Sequence, residues 1–391
     1  MVVKRVLPLF LVSVLLHGLL GWWLSADLTS IDLLLGVGFQ VFLVLSSLLL
    51  PLALIAPRVA PSAWSPTLTW LGLIFMGGFS SLFVLSLLRG VALVAVTLLN
   101  WTWPGSLDET LFRSYSALAV PVVGLLMTIG GFWNARRTAA VVQVDVPILN
   151  LPHALHGFTV AQITDIHVGP TIKKHYLQRI VNRVNSLNAD LVAITGDLVD
   201  GSVHDLHDHV LPLRGLTSTH GTFFVTGNHE YYSGAHSWIA ALGGLGVRVL
   251  MNEHVLIHHG SDNQDTEHAM MVVAGVTDYG AHHFDDSHRS DPHAAMADAP
   301  EHALFKLLLA HQPRSAPAAA KAGFDLQLSG HTHGGQFWPW NHFVRFQQPF
   351  TAGLHKLEEM WVYTSRGTGY WGPPKRFGAP SEITHLRLVR V

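Results

Sequence analysis

Long apolar runs dominate the first third of the chain, and short apolar runs punctuated by polar turns fill the rest. Val6–Leu24, Leu33–Ala56, Leu68–Leu88 and Ser114–Trp133 are nearly free of charge, and such runs are long enough to cross a hydrocarbon core as helices. Apolar sequence continues from Gly90 to Leu99, so the third run predicts either one long helix or a short extra span. Trp22, Trp23, Trp64, Trp70, Trp101, Trp103 and Trp133 fall near the predicted span ends, where interfacial anchoring accounts for them. No ionisable residue reads as mid-span, with Arg89 placed near an end. The pattern favours an anchor over a transport pathway.

Beyond Asn134 the period changes. Val141–Val146 alternates like a strand, and Phe158–Thr164, Leu191–Thr195, Thr222–Thr226, Met270–Ala274, Lys306–Ala310 and Asp325–Leu328 read as short buried strands. Tyr176, Leu177, Ile180, Val181, Val184 and Leu187 form an apolar stripe that predicts a helix over Lys173–Asn188. After their strands, five of these runs enter turns that carry Asp165 and His167, Asp197, Asn228 and His229, His311, or His331 and His333. In α/β folds ligands bind beyond the carboxyl ends of strands, so the pattern delivers oxygen and nitrogen donors to one rim. Gly260–His268 and His282–Pro300 read as surface loops. His282, His283, Asp285, Asp286, His288, Asp291 and His293 in the second are potential metal donors, although a solvated loop is the favoured reading because no element orders them.

Composition sharpens the division. Of 24 Lys and Arg and 26 Asp and Glu, nine residues in all precede Asn134, and of 26 histidines only His17 does. The second part therefore concentrates the commonest metal-ligand side chain. A net charge of -2 gives no sign of a nucleic-acid partner. The absence of cysteine excludes disulfides, thiolate zinc sites and thiol nucleophiles. With four spans, Lys4, Arg5, Arg58, Arg136 and Arg137 share one side and Asp27, Asp32, Asp108 and Glu109 the other. The positive-inside rule then predicts a multi-pass protein of the cell inner membrane with its C-terminal domain in the cytoplasm.

The ordered set Asp165-x-His167, Gly196-Asp197, Gly227-Asn228-His229-Glu230, His311 and Gly330-His331-x-His333 resembles the calcineurin-like metallophosphoesterases. Gly330–Gln336, Tyr363–Gly369 and Pro380–Thr384 are similar to the membrane-associated YkuE/YaeI-type members. The resemblance implies a four-layer α-β-β-α sandwich of two mixed sheets over residues 141–391, preceded by an all-α transmembrane domain over 1–137. It implies two divalent ions (Mn, Fe or Zn), one held by Asp165, His167, Asp197 and His333 and the other by Asp197, Asn228, His311 and His331. A metal-bridging hydroxide would attack phosphorus, with His229 as the proton donor to the leaving oxygen and Asp200 orienting it. Capping of a following helix is the alternative role for Asp200.

One departure bears on substrate. Gly201-Ser202 stands where protein phosphatases of the superfamily carry Arg-Gly, and a bidentate arginine matters most for a doubly charged monoester. Phosphodiesters or pyrophosphates are therefore the expected substrates, glycolipid- or phospholipid-linked if the aromatic run Phe337–Trp340 lines an acyl or sugar pocket; packing onto the membrane and core are equal readings of that run. Arg366, Lys375 and Arg376 read either as surface charges or as cations that reach the site from the C-terminal loops in place of the missing arginine. A phosphomonoesterase, a nuclease, and a membrane sensor with a regulatory phosphoesterase-like domain are the competing readings.

Overall fold

The computed structural model describes residues 2–59, 64–260 and 269–391, with side chains of 2–6 and 57–59 excepted. Lys4, Arg5 and Arg58, and nearly all of the Gly260–His268 loop, therefore lie outside what is described. Two compact units form: Met1–Trp133 with Gly372–Phe377, and Asn134–Trp371 with Gly378–Val391.

The first unit is helical: α1 (Val2–Ile31), α2 (Leu33–Val59), α3 (Ser65–Thr102) and α4 (Glu109–Arg136). All four are long and apolar enough to cross a membrane. Gly90–Leu99 extends α3 rather than forming a further span. The interior carries more polarity than the apolar runs imply. Arg89 lies well inside α3, not near its end, and is buried. Its guanidinium pairs with Asp27, which sits within α1 rather than in a loop, and donates to Ser116 Oγ at 2.9 Å and to the Trp23 carbonyl at 3.2 Å. His17 is buried in α1, with Nε2 2.8 Å from Ser46 Oγ and its ring stacked on Phe79. Charge in an apolar span persists only when paired, and the residues that pair Arg89 come from α1 and α4. Lys375 and Arg376 are also buried in this unit, and Lys375 Nζ donates to the Gly77 carbonyl and Ser81 Oγ. Neither is a surface charge or a cation of the soluble fold.

The second unit runs β1 (Ala140–Ile148), β2 (Thr159–Ile163), α5 (Lys174–Asn185), β3 (Leu191–Ile194), α6 (Val203–Val210), β4 (Thr222–Phe224), α7 (Asn228–Ser233), α8 (Ala235–Gly244), β5 (Arg248–Val249), β6 (Glu253–His259), β7 (Ala269–Gly275), α9 (Pro292–Ala295), β8 (Phe305–Leu309), α10 (Ala316–Lys321), β9 (Leu326–Ser329), β10 (Gly353–Leu357), β11 (Met360–Thr364) and β12 (Glu382–Arg390). Two six-stranded mixed sheets result, in the orders β1-β12-β2-β3-β4-β5 and β10-β11-β9-β8-β7-β6. Alternation explains how they stack. In β3, Leu191 and Ala193 enter the core between the sheets, while Val192 and Ile194 face the layer built from α5, α6 and α8. In β8, Phe305, Leu307 and Leu309 point inward and Leu308 points to a core shared with α9 and α10. Each fully buried Leu or Ile contributes about 1.5–3 kcal/mol. Both sheets are thus covered by helices on their outer faces, as the four-layer expectation requires.

Every strand expected from the sequence forms. The helix expected over Lys173–Asn188 ends at Asn185, because the chain leaves it through Asn188 at φ 49°. The stripe residues Tyr176 to Val184 are buried as core.

Candidate metal centre

Five strands bring the expected residues together. β2 is followed by Asp165 and His167, β3 by Asp197, β4 by Asn228 and His229, β8 by His311, and β9 by His331 and His333. β2, β3 and β4 are successive in one sheet, as are β9 and β8 in the other, so their carboxyl ends form one rim. Backbone bonds lace that rim: Asp165 N donates to the Gly196 carbonyl at 3.0 Å, His167 N to the Asp197 carbonyl at 3.1 Å, and Gly330 N to the His311 carbonyl at 2.9 Å.

The donors face one another. His333 Nε2 lies 3.4 Å from Asp165 Oδ1 and 3.1 Å from His167 Nε2. His311 Nε2 lies 3.2 Å from Asp197 Oδ2 and 3.2 Å from His331 Nδ1. Asp165, His167 and His333 form one convergent group, Asp197, His311 and His331 another, and Asp197 with His167 and His229 a third between them. Asp197 Oδ2 thus stands between two histidine-rich groups, 3.9 Å from His167 Nε2 on the first side.

The chemistry of this donor set fits cations. The Thr195 carbonyl lies 2.8 Å from His311 Nδ1, which orients the ring so that Nε2 points toward the Asp197 carboxylate and a second imidazole. His167 Nδ1 faces Asp200 Oδ1 at 3.1 Å, which likewise turns its Nε2 toward His333 Nε2. Among the described residues, the buried Asn228 Oδ1 has no hydrogen-bond partner. Imidazole nitrogens and carboxylate oxygens that converge at 3.1–3.4 Å, beside an amide oxygen without a partner, fit a shared cation. Imidazole, carboxylate and amide oxygen suit Mn, Fe or Zn.

The backbone is strained where it aims these donors. Asp165, His167, Asp197, His331 and His333 all have left-handed φ, from 50° to 69°. Such conformations cluster at functional sites because the surrounding fold must hold them. The neighbouring glycines mostly give room instead. A Cβ on Gly330 would lie 2.2 Å from Asp165 Oδ2, and one on Gly227 would lie 2.2 Å from Asp197 Oδ1.

Electrostatics separate the groups. Burial raises Asp197, but His311, His229 and His167 more than offset it and hold the carboxyl well below its usual range. Burial also raises Asp200, yet His167 and His229 bring it to about 2. His229 is lowered by burial, but the Asp200 hydrogen bond and the charge of Asp197 lift it to about 9. Burial, then the charge of His311, pushes His331 down to about 3.

Asp200 caps no helix. Ser202 caps α6, while Asp200 Oδ1 accepts from both His167 and His229. Glu230 had no role from its place in the motif, and it is a central support. It is fully buried and accepts from the backbone N–H groups of Gly227, Asp197, Leu198 and Val199. Its position three residues beyond the cap of α7, typical of a capping box, was the available signal. Asp278, after β7, does not join the donors and accepts from Gln312 Nε2 at 2.9 Å.

The centre opens into a cleft of about 280 Å³ whose lining includes His229, Thr332, Val344, Gln347, Gln348 and Trp371 and, among the described residues, no lysine or arginine. Arg366 instead donates to Glu382 at 2.9 Å. Trp371 flanks the His229 ring at 5.6 Å, opposite no sequence signal. Phe337 is buried in the fold, whereas Trp340, Phe343 and Phe346 form an exposed ridge beside the cleft residues Val344 and Gln347.

Two mixed sheets whose strand ends present clustered His and Asp donors define a metallophosphoesterase. Residues 158–335 match the calcineurin-like phosphoesterase family model, and the chain belongs to that family. It is 35% identical to an uncharacterized metallophosphoesterase of Campylobacter jejuni, over 73% of each chain. A Bos taurus transmembrane protein with metallophosphoesterase domain is 39% identical over 73% of this chain, which spans 65% of that protein's length. The uncharacterized metallophosphoesterase YkuE of Bacillus subtilis is 27% identical over 70% of this chain and 94% of its own. The family acts on phosphoesters with divalent metals, and the four apolar helices together with the transmembrane relatives support a membrane location.

Proposed function

We propose that the chain is a membrane-anchored phosphoesterase that hydrolyses phosphodiester or pyrophosphate bonds at a dinuclear centre. In this reading residues 1–137 anchor it and 141–391 form the hydrolase. Asp165, His167, Asp197 and His333 would hold one ion, and Asp197, Asn228, His311 and His331 the other. The observation that carries the reading is Asp197, whose carboxylate lies between two histidine groups.

Two divalent ions there would lower the pKa of a water and polarise the phosphoryl oxygens. The side chains supply the rest. Asp200 holds Nδ1 of His229 and so directs Nε2 into the cleft, where a protonated ring can donate to the leaving oxygen. Tyr232 and Trp371 pack on the His229 ring at 5.2 and 5.6 Å and restrict its rotation.

The cationless lining supports a singly charged diester or a pyrophosphate over a doubly charged monoester, which calls for a bidentate arginine. The exposed ridge of Trp340, Phe343 and Phe346 supports a lipid-linked substrate, because an acyl chain can cover it while the phosphate enters the cleft. The distribution of Arg and Lys about the spans supports a cytoplasmic hydrolase on an inner membrane.

The test is hydrolysis of bis(p-nitrophenyl) phosphate beside p-nitrophenyl phosphate by the full chain in detergent, with Mn²⁺ and with chelator. Chelator-sensitive turnover that prefers the diester is expected. A monoester preference would overturn the substrate assignment, and activity unchanged by Asp197→Asn would overturn the dinuclear centre.

A further inference from the structure

A second set of metal donors lies outside this centre, in the polar segment between β7 and β8. The structure orders that segment with short turns at Ala281–His283 and Asp286–His288, followed by α9. Several of its acidic and imidazole groups are committed elsewhere. Asp291 caps α9, accepting from the backbone N–H groups of His293 and Ala294, and Asp286 faces Arg289 at 3.8 Å in solvent. Asp285 and His288 turn instead toward His236, which enters from the first turn of α8. His236 Nε2 lies 3.0 Å from Asp285 Oδ2, and His288 Nε2 lies 4.0 Å from the same oxygen. One donor atom from each residue lies within 4.8 Å of the others.

The outer hydrogen bonds select those atoms. Asp285 Oδ1 accepts from Ser287 N at 3.0 Å and Ser287 Oγ at 2.6 Å, which leaves Oδ2 to face the histidines. His288 Nδ1 is engaged by the Tyr231 hydroxyl at 3.0 Å, which leaves Nε2 to face Asp285. Occupied outer atoms and convergent inner atoms are how a protein fixes the tautomer and direction of metal ligands. Two imidazoles and one carboxylate, with a fourth position open to water, form a zinc-class donor set.

We propose that His236, Asp285 and His288 bind a single zinc-class ion at a third site that shares no residue with the dinuclear centre. The ion clips the 281–288 segment to the corner between α7 and α8. That corner matters to the catalytic reading, on which only this consequence rests. Tyr231 belongs to the same short helix as Asn228 and His229. Phe284 packs against Tyr231 and Tyr232 at 5.7 and 5.5 Å, and Tyr232 packs on His229. A bound ion therefore stiffens the aromatic wall behind His229 without touching substrate.

The experiment counts zinc on the chelator-stripped full chain in detergent, by titration against a chromophoric competitor. His236 is largely exposed, so H236A does not threaten folding. Wild type should bind one equivalent more than the H236A/H288A variant, and D285N should weaken that equivalent at least 10-fold. In an Asp197→Asn background one zinc should remain, and adding H236A/H288A should remove it. Equal zinc binding by D197N and D197N/H236A/H288A would overturn the third site. If D197N loses no zinc while H236A/H288A still removes one equivalent, the dinuclear reading fails and the third site stands.

Discussion

The Asp200 carboxylate sits 2.5 Å from Nδ1 of His229. The same oxygen also receives Nδ1 of His167 at 3.1 Å, so one carboxylate directs both a proposed proton donor and a proposed ligand. Asp200→Asn should lower kcat about 10–100-fold, the range for removing an orienting partner. His229→Ala should lower kcat by about 10²–10⁴ and leave the metal content of the proposed dinuclear centre unchanged. Steady-state kinetics paired with elemental mass spectrometry measures both. Loss of both ions from His229→Ala would make it a ligand rather than a proton donor.

Glu230 holds the loop that carries Asp197. Removing its carboxylate leaves backbone N–H groups of Gly227, Asp197, Leu198 and Val199 without their acceptor. Each unsatisfied buried donor costs about 1–3 kcal/mol, so Glu230→Ala should destabilise the fold by about 3 kcal/mol or more. Thermal unfolding of the full chain in detergent, stripped of metal, should show a clear fall in Tm. A melting curve that overlays the wild type would remove Glu230 from this role.

Gly330→Ala places a Cβ where Asp165 Oδ2 and Thr164 Oγ1 now sit, at 2.2 Å from each. The carboxylate must move, because both contacting groups are buried. Overpacking of this kind costs about 1–3 kcal/mol. The expected signature is at least a 10-fold loss in affinity of the proposed dinuclear centre for Mn²⁺. Unchanged Mn²⁺ affinity would mean that Asp165 does not need its present position.

Within the helical unit, Arg89→Ala leaves Asp27 beside an apolar bundle without its partner. Breaking a buried pair from one side costs about 3–5 kcal/mol, whereas replacing both members with apolar residues is often neutral. Arg89→Ala should therefore lower the detergent-solubilised Tm, and Arg89→Met with Asp27→Leu should restore most of it. Equal destabilisation by the single and double variants would indicate that the pair does more than neutralise charge.

Much of the hydrolase was readable residue by residue. Short apolar strands closing on Asp, Asn or His are local patterns, since hydrophobic period reports burial and polar turns report strand ends. That is why the β2, β3, β4, β8 and β9 turns, and the donors they carry, were found in order. The four helices were legible for the same reason, because an uninterrupted apolar run leaves a helix as the structure that satisfies its own backbone.

Contacts between distant segments were not legible. β12 inserts between β1 and β2 as a central strand, although its residues lie at the far end of the chain. The ion pair of Arg89 with Asp27, the burial of Lys375 against α3, and the meeting of His236 with Asp285 and His288 all join residues far apart in sequence. Left-handed φ at Asp165, His167, Asp197, His331 and His333 is uncommon for any non-glycine residue, even for these more tolerant types. Local sequence encodes what a segment prefers alone. Which side chains meet, and which backbone strain is tolerated, depends on the packing of the two sheets and the four helices that enforces them.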